Sequence, residues 1–115
     1  MHPKTVVNIV RADSDALIGA TTVARRMHEV ADVRGVSVEV FIFAAAQRAL
    51  TDPRRQEYND AVDDLVRRGL EVSACLNFAL SLDAAEALAA RGIQLVAARE
   101  AYLRYALEGA TVVSI

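Results

Sequence analysis

Apolar and polar residues follow two periods along this chain. Five short runs are nearly continuous in Val, Ile, Leu and Phe: residues 5–10, 36–43, 70–74, 93–97 and 110–115. Strands that read this way are buried on both faces, as in a parallel sheet. Between them the apolar positions recur at spacings of three and four. Ala16, Leu17, Ala20, Val23, Ala24, Met27 and Val30 mark a helix over 14–32, with Arg25, Arg26, His28 and Glu29 on its other side. Tyr58, Ala61, Val62, Leu65 and Val66 mark a second helix after Pro53, with Thr51 or Asp52 as its expected cap. An alanine-rich third helix is expected over 81–91 and a fourth over 99–107. Gly35, Gly69, Gly92 and Gly109 each end a charged helical stretch and precede an apolar run. A glycine just past a helix end suits the left-handed C-cap. The pattern predicts β-α-β-α-β-α-β-α-β, an α/β protein over residues 1–115 with no linker or internal repeat.

Such a chain is expected to form three α/β/α layers around a five-stranded parallel sheet in the order 2-1-3-4-5. Ligands of open α/β sheets bind outside the carboxyl ends of the strands where the winding reverses. In that order the reversal lies between strands 1 and 3. Arg11-Ala-Asp-Ser-Asp15 would then face Ala74-Cys75-Leu-Asn77, with the only cysteine at the crevice.

Composition narrows the chemistry. One cysteine cannot form a disulfide within the chain. With two histidines it is also too few for a structural zinc site, so no metal is expected. The net charge of −2 argues against a nucleic-acid partner. No apolar run approaches the ~20 residues of a membrane span. The first residues show no apolar stretch of the signal-peptide type, so a reduced cytoplasm is the expected location of the unpaired thiol. The glycine motifs of dinucleotide and P-loop sites are missing, as is C-x-x-C, and no cofactor is expected. A phospho-acceptor receiver domain would need an Asp where Cys75 stands and a late lysine, whereas the only lysine is Lys4.

Cys75 has two readings. A free cysteine most often packs as a small hydrophobe. At the carboxyl end of a parallel strand, before a helix, it can instead be held as a thiolate. Asp13 and Ser14 read as caps of the first helix, or as contacts to a ligand near the thiol. Two carboxylates close to the thiol would raise its pKa, with Arg11 offsetting them. Asn8 is an unusual polar residue in a central strand. His28 falls at a solvated helical phase. Tyr102 and Tyr105 suit core or subunit-interface packing.

The segment Gly69-Leu-Glu-Val-Ser-Ala-Cys75-Leu-Asn77 resembles the DsrE/DsrF-like family, small proteins with a glycine, a short apolar strand and an A-C-x-N turn. The similarity extends to Gly35-Val-Ser-Val-Glu-Val-Phe-Ile-Phe43, to Leu65-Val-Arg-Arg-Gly69 and to the final helix, glycine and strand around Gly109. The resemblance implies a homo-oligomer, often a trimer or hexamer. It also implies a sulfur-carrier or sulfurtransferase role in which Cys75 accepts a persulfide and Asn77 is the polar residue beside it. A sulfur donor or acceptor protein is the implied partner. The family's frequent glycine after strand 2 is replaced here by Ala44-Ala-Ala46, and Phe78 follows Asn77 where many relatives have a hydroxyl or Met. The competing expectations are a non-catalytic oligomeric binding or scaffold protein in which Cys75 packs, and a small-ligand pocket between subunits without covalent chemistry.

Overall fold

The computed structural model describes residues 2–115. Its strands are β1 (Lys4–Ile9), β2 (Ser37–Ile42), β3 (Glu71–Cys75), β4 (Gln94–Val96) and β5 (Thr111–Ser114). All pair in parallel, in the order β4-β3-β2-β1-β5. This corrects the expected 2-1-3-4-5. In that order the most apolar strand, β2, would have lain at an open edge. Here it is central, with five of its six residues buried. The edges go to the short β4 and to β5, whose four residues are all exposed.

The helices are α1 (Ser14–Ala31), α2 (Ala44–Ala49), α3 (Gln56–Arg67), α4 (Leu76–Ser81), α5 (Ala85–Ala90) and α6 (Ala98–Leu107). Two short helices, α2 and α4, were not expected. The stretch expected as one helix over 81–91 is broken by a turn in which Asp83 adopts φ 54°. Pro53 lies in a turn rather than in the first turn of α3. There the Asp52 carboxylate accepts from the Arg54 backbone N–H (3.0 Å). The four glycines expected as C-caps all have positive φ. Gly92 is also sterically required, since a Cβ there would stand 2.8 Å from Val66 Cγ1.

Right-handed crossovers explain the layers. β1, β2, β3 and β4 step one way across the sheet, so α1 to α5 lie on one face. They pack on Val7, Ile9, Val40, Ile42, Val72 and Ala74. The connection from β4 to β5 returns across three strands and puts α6 alone on the other face, over Val6, Phe41 and Cys75. Side chains alternate between faces along a strand. The buried strand residues Asn8, Glu39 and Ser73 therefore share the α6 face, while the opposite face is aliphatic.

Glu39 is 3% exposed. Arg104 of α6 pairs with its Oε1 at 3.3 Å, and Lys4 pairs with its other oxygen. Lys4 and Arg104 also reach Glu108, each at 3.2 Å. Burial alone would lower the Lys4 pKa, but hydrogen bonds to Glu39 and Glu108 outweigh it and hold the ammonium above its ordinary value. Opposite charges this close favour the charged forms and tie α6 to β1 and β2.

Candidate functional site

Two neighbouring strands send their chains to opposite faces. β3 leads into α4 and α5 on the aliphatic face, whereas β4 leads into α6 on the other. The crevice of an open α/β sheet lies at such a divergence. Cys75 ends β3 and pairs with Val96 of β4. An open depression of about 390 Å3 lies there, lined by Phe43, Cys75, Asn77, Phe78, Ser81, Ala98 and Arg99. The sheet order thus moves the crevice from strands 1 and 3 to strands 3 and 4. β2 separates β1 from β3, so their loops stand two strand spacings apart, roughly 10 Å.

Cys75 is 4% exposed. Its backbone is gripped by Gln47 of α2, which is fully buried. The Cys75 N–H donates to Gln47 Oε1 at 3.1 Å, and Gln47 Nε2 donates to the Cys75 carbonyl at 2.8 Å. The carboxamide thereby continues the β-ladder beyond Ala74, where β2 has already turned away. That turn is sharp: Ala44 adopts φ 56°, a left-handed conformation uncommon without glycine. Sequence reading missed Gln47 because it treated residues 44–46 as a loop. No helical period or glycine marks the short element that carries it.

Five of the six aromatic residues gather on the α6 face. Phe41 stands 5.3 Å from Tyr102 and 6.3 Å from Tyr105 between ring centroids, both edge-on. Phe43 contacts Phe41 at 6.4 Å and Phe78 edge-on at 6.0 Å. Such pairs add about 0.5–1.5 kcal/mol each beyond area burial. The Tyr102 hydroxyl donates to Asn8 Oδ1 at 3.0 Å, and Asn8 Nδ2 donates to Ser114 Oγ at 3.1 Å. This satisfies the polar residue of β1 and links α6 to both β1 and β5. Burial raises the Tyr102 pKa against the Asn8 hydrogen bond, and negative charge on the nearby Cys75 would raise it further.

The proposed site residues separate into two places. Asn77 is exposed beside Cys75 and lines the same depression. Asp13 and Ser14 do not reach it. Asp13 caps α1, accepting from the Ala16 N–H at 3.1 Å. That bond, helped by Arg11, holds its carboxyl below the ordinary value. Ser14 lines a smaller depression of about 120 Å3 with Arg55 and Tyr58. His28 is not simply solvated, since its Nε2 lies 3.2 Å from the Arg68 carbonyl at the end of α3. Among the described residues, no three His, Cys, Asp or Glu side chains gather to hold a metal. No helix among them is long and apolar enough to cross a membrane.

No family model matches the chain, and no curated protein does. Its fold is similar to that of a solved structure, a conserved protein of unknown function from Bacteroides thetaiotaomicron. The TM-score is 0.80 at 12% identity, over 97% of this chain and 94% of that one. At this identity the likeness concerns the fold alone.

Proposed function

We propose that the protein is a thiol sulfur carrier of the DsrE/DsrF-like type, with Cys75 as acceptor. One observation carries the reading: the only thiol of the chain lines the depression where the connections of β3 and β4 diverge. Gln47 fixes the backbone there, so the side chain leaves from a rigid point. The chemistry needs no matched base, because exchange runs on the thiolate. The Cys75 thiolate attacks the outer sulfur of a persulfide R–S–SH. A new S–S bond forms to Cys75, the donor S–S bond breaks, and its electron pair leaves with R–S⁻. Passing the sulfur on repeats the exchange with an acceptor thiolate.

Incubation with a small-molecule persulfide is expected to add about 32 Da to the wild type and nothing to Cys75→Ser, read by mass spectrometry. No adduct on the wild type, or an equal adduct on the variant, overturns the carrier reading. The second reading, a non-catalytic assembly module, is favoured by the burial of Cys75 among aromatic rings. Absence of the adduct would select it.

Both readings include self-association, as the trimers or hexamers of the resembled family imply. β5 is an edge strand without charge or proline, and Val112 and Val113 are 41% and 42% exposed. Ile115 exchanges bonds with β1 through its N–H to Asn8 and its C=O to Val10. By alternation, the backbone groups of Val112 and Ser114 point outward from the sheet. An open edge of this kind pairs readily with another strand. Sedimentation is expected to show an oligomer that Val113→Lys dissociates. A wild type that stays monomeric at every concentration refutes this.

A further inference from the structure

We infer that the depression beside Cys75 selects small anionic sulfur donors, namely carboxylate-bearing thiol persulfides. This rests on the carrier reading and adds the substrate class. Its volume, about 390 Å3, falls in the range of small-molecule sites, ~300–1,000 Å3. The walls are apolar, from Phe43, Phe78 and Ala98, and suit the body of such a ligand. The charge on both flanks is positive. On the β2 side, the Arg48 guanidinium lies 5.2 Å over the Phe78 ring. Among the described residues, no carboxylate stands within ion-pair distance of Arg48. On the β4 side, Arg99 lines the depression itself, and its one acidic neighbour, Glu100, is 3.5 Å away on an exposed side chain. No Asp or Glu contributes to the lining. In sheet order Cys75 lies between the two arginines. The mouth beside the only thiol thus carries Arg99 in its lining and Arg48 against Phe78, with no carboxylate in that lining. Arg48 itself lies outside that lining, in a neighbouring depression shared with Asp52, and bears on the mouth through its contact with Phe78.

The test compares glutathione persulfide with its diethyl ester, following the 32 Da adduct at low ionic strength. The anionic donor is expected to react roughly tenfold faster, each arginine contributing about threefold, with the preference shrinking in added salt. Arg48→Gln/Arg99→Gln changes two exposed side chains and is expected to abolish the preference. Equal rates for the two donors, or a preference that survives in that variant, overturn the inference. If neither donor transfers sulfur, the carrier reading fails by itself. Titration of S-methylglutathione and its diethyl ester into Cys75→Ser then decides the charge selection. Tighter binding of the acid, lost in Arg48→Gln/Arg99→Gln, upholds it, and equal binding refutes it.

Discussion

Gln47→Leu is expected to cost about 1–3 kcal/mol of folding stability, because it leaves the Cys75 N–H buried without a partner and leaves the Cys75 carbonyl only its α4 N-cap bond. Leucine nearly matches the volume it replaces, so the loss isolates the two hydrogen bonds from a cavity effect. Urea unfolding measures it. A change within about 0.5 kcal/mol would show that water takes over both bonds. The same variant separates a structural clamp from one that also holds the thiol. The carboxamide hydrogen-bonds the backbone of Cys75, so its loss frees the end of β3 and is expected to speed alkylation of the thiol under native conditions. An unchanged alkylation rate in a destabilised variant would confine Gln47 to the scaffold.

The second large effect concerns charge on the α6 face. Lys4→Met/Arg104→Met removes both cations that meet Glu39 and strands a carboxylate that is 3% exposed. Breaking a buried pair in this way costs about 3–5 kcal/mol, since the remaining charge is uncompensated. Glu71 stands opposite Glu39 in the register of β2 and β3 and adds like charge. Adding Glu39→Gln to the same background is expected to recover most of the loss, because a neutral amide needs no counter-charge. Equilibrium unfolding of the wild type, double and triple variants tests this. Equal stability of the double and triple variants would show that Glu39 reaches water once its partners are gone.

Glycine punctuation and apolar runs made the strand count, the parallel pairing and most helix positions legible. The order was misread because several orders satisfy right-handed crossovers. The deciding signal lay in the strands themselves: Ser37–Ile42 is the most apolar and belongs at the centre, while Thr111–Ser114 is short and polar at its ends. Asp13 and Ser14 were grouped with Cys75 only through that order, and Asp13 caps α1 instead. Cys75 still lies at a divergence of the winding, next to β4 rather than β1. Arg48 and Gln47 were illegible because they sit on α2, a six-residue helix entered through a left-handed alanine. Neither helical period nor glycine marks such an element.

The return of the chain across the sheet has a kinetic meaning. Asn8 and Ser114 meet although 106 positions separate them. Closing so long a loop costs entropy that local contacts do not share, so β5 and the helix before it are expected to dock late and undock early. Of residues 98–115, Ile115 alone packs against the aliphatic core beneath α1 to α5. Residues 98–115 are therefore expected to open as a unit below the global unfolding free energy, which native-state hydrogen exchange would read. That unit covers the sheet face carrying Cys75, so the frequency of its opening governs how often reagents reach the thiol from that side.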